Sequence, residues 1–339
     1  MKKRILYFDI LNILSCIAVI ALHHNSRIWK FEVSNGWRLS LFIECFFYWA
    51  VPIFLMISGA NLLNYREKYD TKVFLKKRVL KTVIPWFVWS LIVLIWKIKT
   101  SQLVLEEKTL TYLLDLILNY KVENVYWFFG ALFACYLAIP VFSMLVKERK
   151  ILWYIVGMNF IFLSCVPILQ LVSKIQFTLD VPVVGSLIIY VILGYLLATE
   201  ELGKKKRYTI YVLGIVGFAF RYIVTYALSV KNNEVDMSVK GYTMFHAVLL
   251  SVAVFVWAKH VKWDKYLSEK IQKIISQIST CSFGIYLIHR IVMYYEMNIL
   301  ELNTRSFVWT VLFVPVTYII SLSIVYVLKK IPGIKIIVP

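Results

Sequence analysis

At 339 residues, 60% hydrophobic and 16% aromatic, with a mean hydropathy of +0.74, the chain is too apolar for a soluble domain, which averages about half apolar. Apolar windows of about 20 residues, enough to cross about 30 Å of hydrocarbon, recur throughout, so the chain reads as an all-α polytopic membrane protein. The formal net charge of +19 does not indicate a nucleic-acid partner, because the lysines and arginines lie between the apolar windows rather than along one soluble face.

Taken in chain order, the windows predict about ten transmembrane helices, over 5–25, 38–62, 79–97, 124–146, 151–172, 182–200, 208–229, 241–258, 278–298 and 306–328. The first opens like a signal peptide, after Lys2, Lys3 and Arg4, but no small-x-small cleavage site follows, so it reads as an uncleaved helix. Residues 109–120 (TLTYLLDLILNY) are amphipathic and too short to cross, and are expected at the interface or folded back into the bundle. Segment 259–277 reads as a short amphipathic helix outside the membrane. With the N-terminus in the cytoplasm, the cytoplasmic segments carry 25 of the 38 Lys and Arg, which places both termini there by the positive-inside bias. No segment is long enough for a separate soluble domain, so residues 1–339 form a single membrane domain containing the function. The five cysteines (Cys16, Cys45, Cys135, Cys165, Cys281) sit in apolar segments without paired spacing, as packing residues.

Polar side chains inside these spans need a reason, since each ionisable one costs about 2.5 kcal/mol or more in hydrocarbon. On the first helix Asp9, Asn12, Cys16 and His23 share a face. Asn12 and His23 lie about 20° apart in projection and about 16 Å apart along the axis. His24, adjacent in sequence, is the alternative to His23. Glu44 in the second span is placed to orient a histidine or to pair with Arg38. The ninth span carries His289, Arg290 and Glu296. His289 and Arg290, being adjacent, point apart, so one of them is expected at a shared cavity. Arg221 and His246 read as structural partners. Before the third span, FLKKRVLKTVIPW (74–86) sets a basic cluster at the membrane, with Arg78 closest to the apolar boundary and carrying the planar fork suited to phosphate. There is no HExxH, metal-ligand cluster, Gly-rich phosphate loop or GxSxG elbow, so no metal is expected. Two histidines on different helices, near carboxylates and arginines, suit a route for protons or acyl groups better than an ion filter.

In order along the chain, YFDILNILSCIAVIALHH, VPIFLMISGANLL, FLKKRVLKTVIPW, NVYWFFGALFACYLAIPV and CSFGIYLIHR resemble the integral-membrane acyltransferase family 3, which includes bacterial O-acetyltransferases of surface polysaccharides. The resemblance spans essentially the whole chain. It implies an acyl donor, acyl-CoA (acetyl-CoA above all), taken from the cytoplasm, and an acceptor hydroxyl on a cell-surface or exported glycan. It implies a multi-pass protein of a bacterial inner membrane, whose partners are the bilayer and the glycan, with no nucleic acid. A homo-oligomer is left open. By resemblance His23 acts in acyl transfer and His289 is the histidine of the family's YLxH motif; Glu44 joins the expected catalytic set from the residue reading above, as an orienting partner. Arg78, Asn12, Tyr126 and Trp127 fall at donor-binding positions. One departure stands out: where the family carries an arginine eleven residues before the histidine, this chain has Asn12, which can hydrogen-bond but cannot neutralise charge. Some chains with this domain are linked to translocating small polar solutes, and a permease is the alternative reading.

Overall fold

Prolines punctuate the long helices and set their local geometry. In the computed structural model, which describes residues 5–107, 109–179, 181, 185 and 187–339, π-helical turns at Val79–Val83, Phe160–Cys165 and Val308–Leu312 each end within three residues of a proline: Pro85, Pro167 and Pro315. A proline lacks the N–H for its own i−4 carbonyl and its ring crowds that carbonyl, so the preceding turn widens instead of breaking.

The described residues form helices and no strands. Among the described residues, seven helices are long and apolar enough to cross a membrane: α1 (Leu6–His24), α2 (Asn35–Glu67), α3 (Thr71–Lys99), α5 (Asn124–Leu145), α6 (Arg149–Ser173), α8 (Lys204–Asn232) and α12 (Val308–Leu328). Two shorter apolar helices, α7 (Ile188–Thr199) and α9 (Phe245–His260), are largely buried among them. The amphipathic segment after α3 is α4 (Leu110–Leu118), whose Thr109 caps the backbone N–H of Tyr112. It presses Leu116 and Ile117 into the bundle.

Two expectations change in detail. The start of the expected span 182–200 falls partly on 182–184 and 186, and Lys2, Lys3 and Arg4 precede α1; these lie outside the described residues. The amphipathic helix expected within 259–277 is α10 (Glu269–Ser279), and the expected span 278–298 is α11 (Ser282–Ile299), which starts four residues later than its apolar window. The two helices do different work. α10 is capped by Ser268 and lies against α1, where Ser276 donates to Asp9 Oδ2 (2.7 Å) and Asn12 donates to Ser279 Oγ (3.3 Å). The polar stripe on α1 is thereby satisfied from outside its own helix.

Helix contacts are closest where glycines meet backbone. A Cβ built on Gly59 of α2 would lie 1.9 Å from the Val191 carbonyl oxygen of α7, and one on Gly194 of α7 would lie 2.0 Å from that of Met56. This crossing is the most extensive helix pairing in the molecule. Small residues permit such approach where apolar side chains gain little by leaving lipid. Gly194→Leu should therefore separate α2 and α7, at a cost of about 1–3 kcal/mol or more from overpacking. Thermal unfolding in detergent should show a clear drop for Gly194→Leu and little change for Gly157→Ala, since no neighbour lies within 4 Å of a Cβ at Gly157.

Candidate active site

α1 and α11 run side by side, and their facing sides carry the two histidines into contact. His23 Nδ1 lies 2.8 Å from His289 Nε2, with the rings 9° from parallel. The proton positions follow from what surrounds the pair. His289 Nδ1 is 2.8 Å from the Tyr286 carbonyl, which can only accept, so Nδ1 bears a proton. In the neutral pair His289 Nε2 is then the acceptor, His23 Nδ1 donates to it, and His23 Nε2 keeps its lone pair. His289 thus sets the tautomer and ring orientation of His23.

Cavities open on both sides of this pair. Toward the face where α1 begins (the near face), a cavity of about 200 Å³ is lined by Asn12, Ser58, Tyr136, Ser282, Phe283 and Tyr286, among others. Toward the opposite, far face, His23 and Arg290 border two cavities, of about 560 and 250 Å³. Between near and far lies a thin wall. The Tyr286 ring lines the near cavity, its hydroxyl donates to the Val125 carbonyl (2.6 Å), and Val125 lines the larger far cavity. The rings of Tyr286 and His289 are 5.7 Å apart. An apolar, hydrogen-bonded septum one helical turn thick therefore separates the near and far spaces, with an imidazole pair at its far surface.

His24 is placed away from these cavities. It is fully buried, with Nδ1 3.0 Å from the Trp309 carbonyl and Nε2 2.8 Å from Thr317 Oγ1, whose proton goes to Glu296. Both nitrogens tie α1 to α12 and face no cavity.

Arg78, just before the π-turn of α3, sits with its Cζ 5.5 Å from the ring centre of Tyr136, a wall residue of the near cavity, and 5.8 Å from that of Phe74. Its Nε is buried without a hydrogen-bond partner among the described residues. A guanidinium held by aromatic faces at a cavity edge is suited to an anion. Asn12 lines that cavity itself, and Arg78 is linked to it through the ring of Tyr136.

Glu44 departs from both expectations. It pairs with Arg221 (3.2 Å) and Lys240 (3.3 Å), not with a histidine or Arg38, which bonds Asn35 and Tyr226. It shares with His23 only the wall of the larger far cavity. Cations from α8 and the loop before α9 meet it there, an encounter no local pattern foretells. Tyr126 is likewise corrected: its hydroxyl donates to the Leu287 carbonyl (2.9 Å) in the core, reciprocating the Tyr286–Val125 bond and clamping the start of α5 to α11. Trp127 lines the far cavity, away from Arg78, with its ring centre 5.4 Å from that of Tyr242. Of the adjacent pair, Arg290 lines the two far cavities, as expected of one of them, while buried His289 reaches only His23.

Sequence reasoning passed over Glu123, Lys97, Lys240 and Tyr242. Buried Glu123 accepts Lys97 at 2.8 Å and approaches Arg290 at 3.7 Å. Only its place just before the aromatic run of α5 offered a signal, and the 240–242 loop offered none.

The Glu44–Arg221 pair can be tested directly. Arg221 is 2% exposed and stacks on Tyr48 at 3.7 Å, so removing one partner leaves a buried unpaired charge. Glu44→Gln should lower stability by about 3–5 kcal/mol, and Glu44→Gln with Arg221→Met by clearly less; chemical or thermal unfolding of the three proteins in detergent measures the difference.

Comparison with known proteins agrees with this arrangement. A family model described as "Acyltransferase domain" matches residues 5–326 of the chain. No curated protein and no solved structure matches it. A helical bundle with a paired imidazole at a septum between two cavities, matched along nearly its whole length by that family, belongs to acyltransferase family 3 and is a multi-pass membrane acyltransferase.

Proposed function

We propose that this enzyme transfers an acyl group, acetyl above all, from cytoplasmic acyl-CoA to a hydroxyl of a cell-surface or exported glycan, within a bacterial inner membrane that it spans about ten times with both termini in the cytoplasm. The observation that carries the reading is the imidazole pair at the septum: a base on the far side, one helical turn from the closed end of a near-side cavity with a cationic edge. The excess of basic residues in the near-side segments supports the orientation.

On this reading the phosphates of the donor sit against Arg78, and Asn12 hydrogen-bonds the donor's polar atoms. Arg78 supplies the positive charge that Asn12 cannot. The thioester reaches the septum at Tyr286, and the acceptor hydroxyl approaches His23 from the far cavity. The hydroxyl proton passes to His23 Nε2 as the oxygen attacks the thioester carbonyl. The carbon–sulfur bond then breaks, and the departing thiolate takes that proton from His23. The products are an O-acyl ester and free CoA. While His23 is charged, His289 Nε2 accepts its Nδ1 proton and so holds the ring in place.

Transfer of labelled acetyl from acetyl-CoA to a crude glycan pool, in proteoliposomes, tests this. Replacing His23 by alanine should reduce transfer by about 10²–10⁴-fold. His289→Ala should weaken it less, and His289→Gln, whose carbonyl can accept the Nδ1 proton, should recover part of the loss. Undiminished transfer by His23→Ala would overturn the assignment. Separately, CoA should raise the thermal midpoint of the wild type and leave Arg78→Ala unmoved. Protection by a small polar solute, without a CoA effect, would favour translocation instead.

A further inference from the structure

The larger far-side cavity combines two features that ordinarily occur apart. One wall is a row of stacked aromatic rings: Tyr48 and Tyr242 are 4.1 Å apart and 4° from parallel, and Trp127 continues the row at 5.4 Å from Tyr242. Trp29, 60% exposed, stands at the cavity edge with Lys240 Nζ 4.4 Å from its ring centre. The other feature is an excess of positive charge. Glu44 is shared by Arg221 and Lys240, and Glu123 by Lys97 and Arg290. Each carboxylate is thus met by two cations, leaving two positive charges in surplus around the far cavities, among the described residues.

In a low-dielectric surrounding, surplus charge is costly unless an anion answers it. Lys240 and Arg290 are the members positioned to do so, because both line the larger cavity and retain 29% and 37% side-chain exposure, whereas Arg221 is sealed beneath Tyr48. The volume, about 560 Å³, falls within the range of about 300–1,000 Å³ common for small-ligand sites. A flat ring with apolar C–H faces and an appended anionic group matches both features. The ring packs on the aromatic row and the anion lies between Lys240 and Arg290. A hydroxyl of the same ring then comes within reach of His23, which borders the same cavity.

We propose that this cavity is the acceptor subsite and selects an anionic saccharide, a sugar bearing a carboxylate or phosphate, over a neutral one. The choice of a hydroxyl-bearing acceptor rests on the acyl-transfer reading above. The charge selectivity rests on the cavity alone.

Isothermal titration calorimetry of the full chain in detergent, without CoA, separates the two. The probes are a glucuronate-containing tetrasaccharide, the same tetrasaccharide with its carboxyls reduced, glucose 1-phosphate, and inorganic phosphate. The uronate should bind at least tenfold more tightly than its reduced form, with affinity falling as salt is raised. Glucose 1-phosphate binding more tightly than inorganic phosphate would show that the ring contributes, and its rank against the uronate tells phosphate from carboxylate as the preferred anion. Arg290→Gln and Lys240→Gln should each weaken uronate binding about five- to tenfold while CoA still protects the variants thermally, which certifies their fold. Trp127→Ala should weaken every saccharide. Equal binding of the reduced and native tetrasaccharides, or uronate binding indifferent to both cation replacements in CoA-protected variants, would overturn the proposal. Acetyl transfer to a neutral glycan with no uronate binding would overturn it and leave the acyltransferase reading standing.

Discussion

One hydrogen bond, between His23 and His289, joins the two helices on which everything else at the site depends. It forms only because α1 and α11 run in register, and that register is held elsewhere. At the near end, α10 docks its serines onto Asp9 and Asn12. At the far end, Ser26 donates to the Thr304 carbonyl beyond α11. Between them, Cys16 lies 3.4 Å from the Ser282 carbonyl. The loop after α1 is stiffened in turn by Arg27, which pairs with Glu32 and holds its carboxyl below the usual carboxylate range. A shift of one residue along either helix would turn one imidazole away by about 100° and break the pair.

The same pair divides the molecule into two chemical environments. The near cavity is ringed by aromatic side chains with Arg78 at its edge, while the far cavities are walled by ion pairs in which a carboxylate is shared between cations. Low dielectric makes every such pair a strong local constraint, so charged residues here fix geometry as much as they bind ligands. That accounts for Glu44, which carries no proton to a histidine but anchors α8 and the 240–242 loop around the far cavity. It also accounts for Tyr126 and Tyr286, whose crossed hydrogen bonds to Leu287 and Val125 keep the septum closed between the two spaces.

Much of the architecture was legible from hydropathy. The edges of α1, α5, α6 and α12 fall within a few residues of the apolar windows, because a long helix crossing lipid must be apolar nearly throughout. The change from the amphipathic segment to the ninth span was legible to within four residues: α10 ends at Ser279 and α11 begins at Ser282. The chain turns there because α10 follows the surface of α1 while α11 enters the bundle. For the site, a single-helix argument placed Asn12 and His23 on one face, and both line cavities. It did not reach the partners of Glu44, which come from segments more than a hundred residues away.

The sequence by itself determined the membrane class, the positions of the main helices and the polar stripe on α1, because each is written in local composition and periodicity, while its ordered motifs carried the resemblance to the family. Only the tertiary structure decided that His23 rather than His24 is the cavity-facing histidine, which nitrogen of it is left free, and where the two cavities end. Those outcomes depend on which carbonyl faces which imidazole across a helix pair, and that contact exists only once the bundle has closed.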